Sequence, residues 1–309
     1  RPGATGAAGS VSSPTAAAPL ASRGEWSLRA RAPTPLTEVA AAAFGGRVWI
    51  AGGLGASGEA ARAVLVYDPR RNSWEAGPNL PEAVHHASLV AAGDDLYLLG
   101  GYVGPGFGSP TPAVRRLHPS ASAWVDGPAL PEPRAAGAAV WDGSRIVYGG
   151  GVGPAGVSAV VFVLEAGAWR ESATLAEARE HLAATSAGRG EAWFLGGRRG
   201  GLDSNVGAVD VIRAEEAREV GRLPTPRGGV AAFWSGTGAC LVGGEAPTGT
   251  FARVECIDAD GKVSQLPDLR EARHGLGAAV VDGVAYVALG GPRPGLTASD
   301  TIEALPLDR

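Results

Sequence analysis

The sequence contains no methionine, and a single lysine, Lys262, accounts for all but arginine among its 27 Lys and Arg residues. A chain that begins at Arg1 without methionine is expected of a processed or partial product, and the arginine bias is that of high-GC bacterial coding. Aromatic residues make up only 6% and charged residues only 19% of the 309 residues. No apolar run approaches the roughly 18 residues of a membrane-spanning helix, so insertion of this chain into a membrane by a helix is not expected. The formal net charge of −4 gives no footing for nucleic acid or an anionic membrane surface. Phosphate-loop, HExxH and GxSxG patterns are all missing, which removes the commonest signatures of nucleotide, zinc-protease and serine-hydrolase chemistry. Two cysteines, Cys240 and Cys256, make no disulfide framework. They fall on consecutive predicted strands, where small core residues are expected and pairing across a hairpin is the alternative.

Glycine is what the chain has in excess. Its 48 glycines are about twice the usual share of roughly 7%, and they lie between short apolar runs, as turns would. Residues 1–24, "RPGATGAAGSVSSPTAAAPLASRG", are rich in Ala, Ser, Gly and Pro and lack aromatics. Such a segment buries too little surface to offset its ordering entropy, so a flexible leader is expected there. A leader of this kind suits an extracytoplasmic domain: periplasmic, secreted or on the cell surface.

The rest, 25–309, repeats. Glycine pairs close strand-like runs at Gly52-Gly53, Gly100-Gly101, Gly149-Gly150, Gly196-Gly197, Gly243-Gly244 and Gly290-Gly291. Six copies at nearly constant spacing are the mark of a propeller or array. Each copy divides into four strands: a small apolar run ("GAAVW", "LAATS", "GAAVV"), a hairpin turn such as Asp282-Gly283, a bulky run into the glycine pair, and a third run with apolar residues three apart. Those pairs are Val64 and Tyr67, Val114 and Leu117, Val161 and Leu164, Val209 and Ile212, Val254 and Ile257, and Ile302 and Leu305. The fourth run holds Trp74, Trp124 or Trp169, which copies four and five lack. Copy six ends before its fourth run, and "EWSLRA" around Trp26 supplies it. The expectation is an all-β, six-bladed propeller whose last blade is closed by the N-terminal strand, leaving no open edge.

The glycine pair after a hydrophobic run, the aromatic three residues before it (Trp49, Tyr97, Trp193), "YDPRRNSW" (Tyr67 to Trp74) and the later tryptophans resemble the kelch motif. The likeness is to kelch-repeat β-propellers of the galactose-oxidase-like superfamily and covers about 25–309. It implies a protein- or ligand-binding module. The family also includes enzymes, namely copper radical oxidases similar to galactose oxidase and a sialic acid epimerase. No copper-binding Tyr and His set surrounds Tyr102 or Tyr286.

In a four-stranded blade, the segment before strand one and the loop after strand two lie on the same face. "LPEPR", "LAEAR", "LPTPR" and "LREAR" bring Arg134, Arg179, Arg227 and Arg273 there, while copies one and two carry Leu36 and Val84. Guanidiniums present a fork suited to carboxylates and phosphates. They are expected either to ring an anion-binding mouth or to pair with Glu132, Glu177 and Glu271. Four of the five histidines, His85, His86, His181 and His274, gather within two residues of this arginine position, with Glu38 and Glu180 beside them; His118 is on the other face. These are residues that hold ligands or move protons. A channel mouth set by six inner strands is expected to be too wide for them to converge on a metal, so no metal and no cofactor is expected. Tyr102 and Phe107 in one post-glycine loop and Arg198 in another add contacts as exposed groups. The expected function is a monomeric, non-catalytic propeller recognising a protein or a small anionic ligand. The alternatives are an enzyme using His86, His181 and Glu38, and a structural module of a longer exported protein.

Overall fold

A computed structural model describes residues 24–104 and 106–307; the expected leader, apart from Gly24, lies outside the described residues. Six antiparallel sheets, each built on a four-strand path, succeed one another along the chain. Blade one runs through Ala40–Phe44, Arg47–Ala51, Val64–Asp68 and Ser73–Ala76. The innermost strands of the next five blades are Ser88–Ala92, Ala138–Trp141, Ala183–Thr185, Gly228–Trp234 and Gly277–Val281. They are alanine-rich because six blades converge on one axis and leave no room for bulk there. Second and third strands are covered by neighbouring blades on both faces, so the paired apolar residues of the third runs are buried, except for the half-buried Leu164.

The ring closes as expected. Ser27–Leu28 pairs antiparallel with Ile302–Pro306, placing Ser27 opposite Ala304, and completes blade six. Trp26 is 2% exposed and packs edge-on against Phe233 of blade five. The fourth-strand tryptophans share one role. The indole N–H of Trp26 donates to Pro267 O (2.8 Å), Trp74 to Ala30 O (2.6 Å), Trp124 to Pro78 O (2.8 Å) and Trp169 to Pro128 O (2.7 Å). In each case the acceptor follows the fourth strand of the preceding blade. A buried indole needs such a partner for its N–H, and the ring supplies the apolar wedge between blades.

The glycine pairs are the other joint between blades. The second glycine donates its N–H to the residue at the arginine position of the following blade: Gly53 to Val84 O, Gly101 to Arg134 O, Gly197 to Arg227 O and Gly244 to Arg273 O, at 2.8–2.9 Å. A Cβ on Gly100, whose φ is +61°, would meet Arg134 O at 2.3 Å, so nothing larger than glycine fits. In copy three this joint is made by Gly150 and Gly151, and in copy six by Leu289 and Gly290, one residue from the expected pairs in both cases. The shift restores the three-residue spacing of Tyr286 in copy six.

The two cysteines lie in the core, as expected, and the pairing alternative holds as well. Cys240 and Cys256 stand directly opposite on the second and third strands of blade five and form a disulfide. Register, rather than size, is what made them partners.

Candidate functional site: the channel mouth

Two residues after the arginine position, every blade carries a residue in the left-handed region: Glu38 (φ 52°), His86 (55°), Ala136 (53°), His181 (52°), Gly229 (65°) and Gly275 (59°). These six residues form a hydrogen-bonded ring around the axis. His86 N donates to Glu38 O (3.1 Å), Ala136 N to His86 O (2.9 Å), His181 N to Ala136 O (2.7 Å), Gly229 N to His181 O (3.0 Å) and Gly275 N to Gly229 O (2.8 Å). Val39 N to Gly275 O (3.3 Å) completes it. Left-handed backbone costs a non-glycine residue about 1–2 kcal/mol, and the ring bonds hold it in place. The side chains of Glu38, His86 and His181 line the channel at this level, and Ala136, Gly229 and Gly275 take the other three ring positions. The mouth is therefore not as wide as the inner strands alone imply: one ligand atom from each of Glu38, His86 and His181 lies within 4.8 Å of the other two.

The four arginines do not ring the opening. Arg179, Arg227 and Arg273 are 0% exposed and Arg134 is 2% exposed. Arg179 Nη2 binds Asp210 Oδ2 (2.7 Å), Arg227 Nη1 binds Glu255 Oε2 (2.6 Å) and Arg273 Nη2 binds Glu303 Oε1 (2.9 Å). Each guanidinium also donates to second-strand carbonyls of its own blade, such as Phe194 O, Leu241 O and Leu289 O. Their backbone carbonyls meanwhile receive the glycine of the preceding blade. The arginine is a clamp: its side chain ties the strands of its own blade and its carbonyl joins the preceding blade, while Nε of Arg134, Arg179 and Arg273 is buried without a partner among the described residues. Arg134 differs: it pairs with Glu132 and lies 5.5 Å over the Phe162 ring, where the other three have a carboxylate. Glu177 and Glu271 are not the carboxylate partners of Arg179 and Arg273, because third-strand acids hold those places.

Short bridges between the pre-strand segment and the post-glycine loop confirm the shared face: Thr37 with Leu54, His85 with Tyr102, Ala135 with Val152, Glu180 with Arg198, Gly228 with Glu245 and His274 with Gly291. They assemble a connected polar cluster. His85 and His86 face each other through Nδ1 at 2.5 Å, and His86 Nε2 faces Glu38 Oε2 at 3.1 Å. His274 Nε2 lies 3.6 Å from both Glu38 Oε1 and Glu245 Oε2. Arg198 bridges Glu180 Oε1 (2.8 Å) and Glu245 Oε1 (2.9 Å), and the other Glu180 oxygen binds His181 Nδ1. Tyr102 is buried rather than exposed, at 4%, and packs on His85, His86 and Phe107.

Protons are short in this chain of contacts. From the Gly106 carbonyl (3.3 Å from His85 Nε2) through both imidazoles to the Glu38 carboxylate there are three links. Two neutral imidazoles bring one N–H each. The third link needs a further proton or a cation. Burial sets where protons rest: it raises the Glu38 carboxyl above its ordinary value, and pushes His85 below, and His86 and His181 well below, the ordinary imidazole value. Neutral imidazoles are the result, beside a carboxyl that takes up a proton more readily than an exposed one. Burial also raises the Tyr102 phenol.

Above the ring opens a cavity of about 380 Å³. Its floor is Glu38, His86, His181, His274, Glu245 and Arg198, and its walls include Leu54, Leu202, Phe107 and Leu296. The opposite end of the channel holds a wider concavity, about 450 Å³, lined by alanines, Trp141, Phe233 and Trp234 without a titratable side chain. Of these two cavities, titratable side chains line only the first.

The kelch motif matches residues 35–81. Kelch-like protein terF of Aspergillus terreus (strain NIH 2624 / FGSC A1156) is 25% identical over 294 residues, which is 87% of this chain and 64% of that protein. Kelch-like protein 34 of Homo sapiens is 42% identical over 77 residues, 25% of this chain and 12% of that protein. Kelch repeat protein M-T8 of Myxoma virus (strain Lausanne) is 36% identical over 112 residues, 35% of this chain and 21% of that protein. The chain thus spans less than two thirds of the length of each of these relatives. The solved structure of YjhT superposes with a TM-score of 0.75 at 15% identity, covering 88% of this chain and 95% of that one, a likeness of fold. Six repeats, six closed blades and the motif match agree. The chain is a six-bladed β-propeller of the kelch type, with a kelch motif matched over residues 35–81.

Of this kelch propeller's expected site residues, the structure brings His85, His86, His181, His274, Glu38, Arg198 and Tyr102 into one cluster. It moves Arg134, Arg179, Arg227 and Arg273 away from solvent. Sequence reasoning missed Glu245, which enters only because the loop after the fifth glycine pair bridges back to Gly228. It also missed Asp210, Glu255 and Glu303, although a signal was there. The residue after the first apolar position of each third strand reads Leu65, Arg115, Phe162, Asp210, Glu255 and Glu303, acidic only in copies four to six, and each of those copies has an arginine clamp.

Proposed function

We propose that this kelch propeller is a binding module whose ligand enters the channel-mouth cavity. The observation that carries the reading is the coincidence there of apolar walls and a converging polar floor, the pattern of small-molecule sites, in a cavity within their usual range of about 300–1,000 Å³. A compact ligand would lay an apolar body against Leu54, Leu202, Phe107 and Leu296 and turn a polar head toward Glu38, His86, His181, His274 and Arg198. The clamped arginines lend no support to an anion-binding ring, so selectivity rests on the floor. A single domain working as a monomer suffices for such a site, and the Cys240–Cys256 disulfide supports an oxidising, extracytoplasmic setting. Ligand-observed NMR against a fragment library tests the reading. Hits are expected to vanish in Leu202→Trp, which fills the cavity from its wall; hits that persist would place binding elsewhere. Acid–base catalysis is a second reading, favoured by His86 Nε2 at 3.1 Å from the Glu38 carboxyl, which burial raises above its ordinary value. It requires that His86→Gln lose any turnover found while fragments held by the apolar walls, Leu54, Leu202, Phe107 and Leu296, still bind.

A further inference from the structure

We propose that Glu38, His86 and His181 hold one divalent transition-metal ion of the zinc class across the channel mouth. This goes beyond ligand binding in the cavity above and stands without it. Donors about 2.0–2.1 Å from a common zinc lie roughly 3.0–3.4 Å apart at ordinary coordination angles. His86 Nε2 and Glu38 Oε2 are already 3.1 Å apart, and the third donor, from His181, is within 4.8 Å of both. To close the set, the His181 donor must move inward from that separation.

The surroundings are those of a metal site rather than of three neighbours. Glu180 accepts from His181 Nδ1, which leaves the Nε2 lone pair for an ion, and Glu180 is itself fixed by Arg198 Nε at 2.8 Å. His85 Nδ1 takes the other nitrogen of His86. A carboxylate or second imidazole behind each ligating histidine is the arrangement that fixes tautomer and orientation. Charge points the same way. Glu38, Glu180 and Glu245 are three carboxylates, each with a side chain no more than 12% exposed, and Arg198 is the one guanidinium bonded into their cluster among the described residues. Buried charge of one sign demands compensation, and a divalent ion in the gap between Nε2 and Oε2 supplies it. Two imidazoles and one carboxylate select a borderline transition ion over Mg²⁺ or Ca²⁺, which prefer all-oxygen shells. Three protein ligands leave coordination positions open, and the cavity lies over them.

The test is a Co²⁺ titration of the whole chain after chelator treatment, followed by visible absorption. One equivalent should bind with a ligand-field band, be displaced by Zn²⁺ and ignore Mg²⁺. His86→Ala and His181→Ala should each weaken binding by more than about 100-fold, Glu180→Gln by about 10–100-fold, and His118→Ala not at all. Where an alanine variant fails to fold, Glu38→Gln keeps the shape, and at least about 10-fold loss with an unchanged unfolding midpoint is expected. Absence of stoichiometric Co²⁺ uptake, or uptake indifferent to Glu38, His86 and His181, would overturn the assignment.

Discussion

Replacing Arg179 by methionine separates the two roles open to the repeated arginine. Its side chain is 0% exposed, and it is bonded to Asp210 Oδ2 at 2.7 Å and Phe194 O at 3.2 Å. Methionine fills most of the volume but strands the Asp210 carboxylate, whose side chain is 1% exposed and whose other oxygen accepts from Ala176 N. Removing one partner of a buried pair costs about 3–5 kcal/mol, most of it the uncompensated charge. At about 2.1 cal/mol/K of unfolding entropy per residue, a chain of this size loses roughly 0.6 kcal/mol per degree at its midpoint, so the Tm should fall by about 5–8 °C. Adding Asp210→Leu removes the stranded charge and should recover most of the loss, short of about 1–3 kcal/mol for the orphaned Ala176 N–H. Scanning calorimetry of both single variants, the double variant and the parent measures the coupling. A Tm within 1 °C of the parent for Arg179→Met would refute the clamp and return the guanidinium to the binding face. Of the two expectations for Arg179, an open mouth or a paired guanidinium, its burial beside Asp210 favours pairing, with Asp210 in the place expected of Glu177.

Two further predictions concern closure and pH. Trp26→Ala removes a buried indole, its bond to Pro267 O and its contact with Phe233, and should cost about 3–5 kcal/mol. Faster amide exchange in Ile302–Pro306, the strand it covers, is expected with it; exchange like the parent's would show that the ring closes without this residue. In the chelator-treated chain, unfolding returns His85, His86 and His181 to their ordinary value near 6.5, above the folded value in each case. Between the folded values and about pH 6.5 the unfolded chain thus binds more protons, and stability falls on acidification by up to about 1.4 kcal/mol per pH unit for each histidine. Glu38, raised above 4.5, acts in the opposite direction, one group against three. The urea midpoint should fall between about pH 7.5 and 5.5 and fall less in His86→Gln/His181→Gln; equal slopes would mean that these imidazoles titrate alike in both states.

Glycine pairs and tryptophans were legible in the sequence because each meets the same neighbour six or four times over. A backbone that must pass within van der Waals distance of the next blade admits only glycine, and an indole that must cap the preceding blade is hard to replace. The copies also show how local register misleads. Gly149 and Gly291 look like members of the joint, yet the hydrogen bonds to the next blade start from Gly151 and Gly290.

The sequence by itself determined the all-β propeller, its six blades, its closure through Trp26 and the face on which the histidines gather, since each follows from a periodic pattern that the chain repeats. Only the tertiary structure decided which polar groups meet. Glu38, His86 and His181 come from three different blades, separated by 48 or more residues in sequence. What joins them is a ring of left-handed residues whose inward turn has no counterpart in composition or spacing. Arg179, Arg227 and Arg273 went the other way, because a guanidinium beside a buried carboxylate is drawn into the fold, and the carboxylate lies a full hairpin further along the chain.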